Sequence, residues 1–148
     1  RASPARPRPM LSREAIAALV PHQRAMCLLD RALEWDAARI LCEAESHAAP
    51  GNPLRRDGML PAICGLEYAL QAMALHGALC SGGVPQRAGF VSSLRDVRMA
   101  AGRLDTVAGP LRIEAEALVA EASGFIYRFA IAGDGQRLLS GQAAVILP

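Results

Sequence analysis

Glu67 is the residue whose type and setting point most directly to chemistry in this 148-residue sequence. It interrupts LPAICGLEYALQAMALHGALC, Leu60 to Cys80, which is otherwise apolar on nearly every face. Desolvating a carboxylate without partners costs several kcal/mol unless it is protonated or hydrogen-bonded. Gln71 follows one helical turn later on the same face, so its amide could reach the Glu67 carboxyl and orient it. A carboxyl in an apolar setting has its pKa raised, and an acid still protonated near neutrality is a usable proton donor. The competing reading is a carboxylate at a pocket mouth or a subunit seam.

His47 lies at the end of an expected strand, just before the loop that feeds this helix, and could face Glu67 across a pocket. His22, in Pro21-His22-Gln23-Arg24, starts the strand that should pair with the same end, so a hairpin brings both histidines to one rim. Either could instead bond loop backbone. His76, late on the helix, reads as structural. Three histidines this far apart, with no HxxxH spacing, make a poor case for a metal, and nothing in the sequence calls for a cofactor. Cysteines at 27, 42, 64 and 80 match no CxxC pattern and read as buried thiols. No serine sits in GxSxG and no cysteine adjoins a histidine along the chain, so support for a nucleophile is thin, though neighbours in space remain open. Arg55, Arg56 and Arg87 lie in loops and could contact an anionic carrier such as a phosphopantetheine-bearing protein; solvated loop arginines are the commoner outcome.

Composition narrows the classes. Hydrophobic residues make up 52% and charged residues 20% of the chain, a balance that folds, and the length suits one domain. The net charge of +2 comes with 16 basic residues, all arginine and scattered, which argues against nucleic acid. Having no lysine, the chain cannot form a Schiff base or use a lysine as general base. The proline-rich RASPARPRP start reads as a disordered tail or cloning remnant over 1–10, with one domain over 11–148. Glu67, Gln71 and His76 break the best apolar stretch below the ~18 residues of a membrane span, and the expected location is the cytoplasm.

These residues need elements to position them. Ser12 can cap a short helix through Leu19, which Pro21 stops. Met26 to Trp35 is a mostly apolar run that could be a strand, though its alanine and leucine content also allows helix. Arg39 to His47 alternates Ile40, Cys42 and Ala44 against Leu41, Glu43 and Glu45, the period of a half-buried strand, with a hairpin turn near Asp36 to Ala38. Proline and glycine make His47 to Met59 a loop, and a helix apolar all round, Leu60 to Cys80, is one buried on all sides. Strands then follow at Gly89 to Met99, Pro110 to Ala120, Phe125 to Ile131 and Arg137 to Leu147. An antiparallel sheet with one segregated long helix belongs to the α+β class.

The motifs resemble the 3-hydroxyacyl-carrier-protein dehydratases of the hot-dog superfamily over Ile16 to Leu147. LVPHQRAMCLLDRALEW is similar to that family's PHR…LLDR segment, LPAICGLEYALQ to its MPG…LE…AQ helix, and GFVSSLRDVRM to the strand that follows. PHQRAMCLLD with NPLRRDGMLPAICGLEYALQAMALHG resembles the dehydratase-like subfamily of aryl-polyene and related polyketide clusters. The resemblance implies a curved antiparallel sheet around the central helix, an acyl carrier protein with a phosphopantetheine-linked 3-hydroxyacyl chain as partner, and a homodimer or a heterodimer with another hot-dog subunit. It puts Glu67 on the helix acid, Gln71 on the glutamine one turn later, and Ala62 and Ile63 at the helix N-terminus that polarises the thioester carbonyl. The family's histidine, in a GHFPG-like stretch, falls on Pro53. Three readings follow: His47, or His22, replaces the base; the chain is a non-catalytic subunit of an active partner; or it is a thioesterase using Glu67 to activate water.

Overall fold

The computed structural model describes residues 10–20, 26–85 and 89–148; His22 and Arg87 lie outside the described residues. Strand β1 (Leu11–Ser12) leads into helix α1 (Arg13–Leu19), whose N-cap Ser12 accepts from the Ala15 N–H at 3.3 Å. Next come β2 (Arg31–Trp35), β3 (Arg39–Ala44) and the long helix α2 (Gly65–Cys80), then β4 (Phe90–Met99), β5 (Leu111–Glu121), β6 (Gly124–Gly133) and β7 (Gln136–Ile146). The seven strands form one antiparallel sheet in the order β1-β2-β3-β5-β6-β7-β4. This is the α+β hot-dog arrangement expected, with α2 packed on β3, β5 and β6 and covered on its other side by α1.

Alternation builds the sheet face under the helix. Ile40, Cys42 and Ala44 of β3 are buried, as are Leu111, Ile113 and Ala115 of β5 and Tyr127, Phe129 and Ile131 of β6. Register follows, because a one-residue slip would turn each set outward. Turn chemistry holds the hairpins: Asp36 Oδ1 accepts the N–H groups of Ala38 and Arg39 at 2.8 and 2.9 Å, and Asp134-Gly135, both at positive φ, join β6 to β7. Across its middle, Gln71 to His76, α2 is buried on every face. Gly65 brings it close to the sheet, since a Cβ there would come within 2.9 Å of Ile131 and Leu139.

The long helix is present as expected, entered through a 3-10 turn over Ala62–Cys64. One expectation needs correction. Only Arg31–Trp35 of the strand expected from Met26 joins the sheet. The backbone before it is bonded elsewhere: Leu28 N–H and Met26 C=O to the Gln71 amide, Leu28 C=O to Ser46 Oγ, and Cys27 C=O to Arg13. With these groups spent, residues 26–29 stay out of the sheet ladder, which the chain joins only when Asp30 N–H donates to Glu43 C=O at 3.0 Å.

Candidate active site

Glu67 sits half-buried in the first turn of α2. Among the described residues it has no hydrogen-bond or ion-pair partner. Gln71 does not orient it. Fully buried, its Oε1 accepts from Leu28 N–H at 2.8 Å and its Nε2 donates to Met26 C=O, so both ends of the amide face the 26–30 segment.

The helix entry is clamped by the loop after β4. Leu104 N–H donates to Leu60 C=O at 2.8 Å, Leu60 N–H donates to Asp105 Oδ1 at 2.9 Å, and Ala62 N–H donates to Gly102 C=O at 3.0 Å. Arg103, and then the Leu60 N–H, hold the Asp105 carboxyl well below the usual carboxylate range. The Ala62 N–H expected to polarise a carbonyl is therefore already engaged. Ile63 N–H is left without an acceptor among the described residues, and the Ile63 side chain is 47% exposed beside it. A free backbone N–H at a helix entry is a donor of the kind that can polarise a carbonyl.

His47 lies in a 3-10 turn, Ser46–Ala48, directly after β3, and is 1% exposed. Its Nε2 is 3.1 Å from the Val107 carbonyl oxygen, while its Nδ1 is buried with no partner among the described residues. A carbonyl only accepts, so Nε2 carries a proton, and in the neutral imidazole the lone pair then sits on Nδ1.

A polar network missed in the sequence fixes this turn against α2. Asn52 Nδ2 donates to the Tyr68 hydroxyl at 3.0 Å and to Ser46 C=O at 2.9 Å, and Ser46 Oγ donates to Leu28 C=O at 2.7 Å. Because the serine proton goes to a carbonyl, the Tyr68 hydroxyl, 2.8 Å from Ser46 Oγ, must be the donor to it. Burial pushes the Tyr68 phenol up, against the opposing pull of these bonds. The signal was present: a tyrosine in a fully apolar helix needs a partner for its hydroxyl.

The loop arginines divide. Arg56 is exposed at a two-residue hairpin turn, Asp57-Gly58, closed by its backbone bonds to Met59. Arg55 turns inward, donating to Gly58 C=O at 2.7 Å and His47 C=O at 3.3 Å. Pro53, at the family histidine's position, is exposed.

The cysteines are not uniformly buried: Cys64 is half-buried and Cys80 exposed. Cys80 Sγ lies 3.4 Å from His76 Nε2, beside a cavity of about 400 Å³ at the far end of α2. His76 does not activate it. His76 Nε2 donates to Asp36 C=O at 2.8 Å and its Nδ1 accepts from the Tyr127 hydroxyl, while burial and Asp36 push the Cys80 thiol up. His76 is a structural bridge. Among the described residues no cluster could hold a metal ion, and no helix is long and apolar enough to cross a membrane.

Known proteins agree with this architecture. The chain is similar to a structure of the dehydratase heterocomplex ApeI:P from Xenorhabdus doucetiae, at TM-score 0.78 and 20% identity, covering 93% of this chain and 91% of that one. Zebrafish thioesterase superfamily member 2 gives TM-score 0.62 at 15% identity over 92% and 93% of the two chains. The E. coli PaaI protein from the phenylacetic acid degradation operon gives 0.60 at 12% over 91% and 89%. At these identities the likeness shows the fold. No curated protein sequence matches the chain. A family model does: the ApeP-like family, described as ApeP dehydratase, matches residues 14–148, and the chain belongs to that dehydratase family.

Proposed function

We propose that this chain removes water from a 3-hydroxyacyl thioester carried on the phosphopantetheine of an acyl carrier protein, with His47 as base and Glu67 as acid. The observation that supports this reading is the His47 imidazole, whose Nε2 proton is held by Val107 C=O and whose Nδ1 has no partner among the described residues. A neutral imidazole with a free basic nitrogen is poised to take a proton. His47 Nδ1 takes the Cα proton, the C–H electrons form the Cα=Cβ bond, and the Cβ–O bond breaks. Protonated Glu67 gives its proton to the departing hydroxyl, which leaves as water. Exchange with solvent resets both groups. The Ile63 N–H polarises the thioester carbonyl and so acidifies the Cα–H. Substrate reaches the buried Nδ1 by displacing the side chains over it, while the His47 backbone stays in place.

A hot-dog partner fits the free edge of the sheet. Among the described residues strand β4 pairs only with β7, and Phe90, Val91, Leu94, Val97 and Met99 on it are exposed, as is Ile146 beside it. A long apolar edge is a template for another strand. Leu94→Lys should convert an assembled species to monomer in analytical ultracentrifugation; an unchanged sedimentation profile would place the partner elsewhere.

Pro53 and the engaged Ala62 N–H favour a second reading, a non-catalytic subunit that shapes the pocket of an active hot-dog partner. One experiment separates them. A carrier protein loaded with a 3-hydroxyacyl chain is incubated with this chain alone and with a co-purified partner, and its mass is followed. Loss of water with the chain alone supports the first reading; loss only with the partner, unchanged by Glu67→Gln or a His47 variant, supports the second. Release of free thiol would indicate a thioesterase. Under the first reading Glu67→Gln should slow water loss by about 100- to 10,000-fold, the usual contribution of a positioned acid, with the circular dichroism spectrum unchanged.

A further inference from the structure

The arginine that sequence reasoning offered to an anionic carrier has turned into the loop that carries His47. Arg55 Nη1 donates to Gly58 C=O at 2.7 Å and Nη2 to His47 C=O at 3.3 Å, while its Nε is buried. One rigid planar fork thus ties the two ends of the 47–58 loop, and one of its two acceptors is the backbone of His47 itself. The rest of the loop is held by other groups. Asn52 ties its middle to Ser46 and Tyr68, and the Asp57-Gly58 turn closes its tip through the paired Arg56 and Met59 backbone. Only Arg55 connects that tip to the His47 main chain among the described residues.

We propose that Arg55 is a positioning residue for His47: it holds the His47 main chain so that Nε2–H stays on Val107 C=O and Nδ1 keeps its lone pair free. This rests on the reading of His47 as base. The imidazole can keep its tautomer only while its backbone stays in register with Val107, a residue 60 positions away in sequence. A carrier-docking arginine would act differently, since its loss would weaken encounter and raise KM, whereas loss of a positioning group lowers kcat.

The test uses Arg55→Met, Arg55→Lys and, as control, Arg56→Met in the full chain with whatever partner it requires. Steady-state kinetics on a 3-hydroxyacyl carrier protein should show kcat down by about 100-fold for Arg55→Met, the scale of a small misplacement of a reacting group, with KM unchanged. Arg55→Lys should recover part of this, because an ammonium can reach one carbonyl but not bridge both. Arg56→Met should behave as wild type. Independently of turnover, ¹⁵N NMR of the imidazoles should show the Nε2–H tautomer of His47 in the wild type and mixed tautomers in Arg55→Met, a readout that stands even if the chain proves inactive. A raised KM with normal kcat, or an unchanged His47 tautomer in Arg55→Met, overturns the proposal. If the tautomer responds but wild-type protein never eliminates water, Arg55 positions His47 and the dehydratase reading is what fails.

Discussion

His47→Gln should eliminate water from a 3-hydroxyacyl carrier protein about 100- to 10,000-fold more slowly than the unaltered chain, the range a positioned general base contributes. Glutamine is the sharper substitution because its amide N–H can still donate to Val107 C=O, where the imidazole Nε2 donates at 3.1 Å. The loop hydrogen bond is thereby kept and only the basic lone pair is removed. His47→Ala should lose the same activity and also some stability, since it leaves a void at a 1% exposed position and an unpaired carbonyl. Turnover by mass spectrometry and thermal unfolding of the same samples separate the two effects. Wild-type rates in His47→Gln would remove His47 as the base.

The second large effect concerns stability. Gln71→Ala should destabilise the chain by about 2–5 kcal/mol, because it strands the Leu28 N–H and the Met26 C=O, at roughly 1–3 kcal/mol for each unsatisfied buried group. The measurement is a urea midpoint, which should fall with the slope unchanged. Gln71→Leu should fall nearly as far, which shows that the cost comes from the lost amide and not from a cavity. Were Gln71 instead the orienter of Glu67, stability would hardly move while turnover fell. The geometry expects the reverse order of effects, with Glu67 acting without its help.

Legibility in the sequence tracks the range of the forces involved. The N-cap at Ser12, the turn at Asp36, the Asp134-Gly135 hairpin and the alternation of Ile40, Cys42 and Ala44 all depend on neighbours a few residues away, and all were readable. So was the burial of α2, because an all-round apolar helix has nowhere else to go. That residues 26–29 stay out of the sheet was not readable. Their apolar run suits a strand, and the bonds that take them out of the sheet come from Gln71, 43 and 45 residues along the chain.

The candidate site divides in the same way. By itself, the amino-acid sequence determined the kind of molecule: an α+β chain with one buried helix, a single acid in that helix, and motifs that place it with the dehydratases. Tertiary structure alone decided what each polar group does. It spent Gln71 and the Ala62 N–H on backbone partners, turned Arg55 from solvent to the His47 carbonyl, and left Ile63 N–H and His47 Nδ1 unspent. The physical reason is that an apolar side chain needs only to be buried, a condition any nearby surface meets, whereas a hydrogen bond requires one partner at one distance and angle. Such a partner exists only after distant segments have packed.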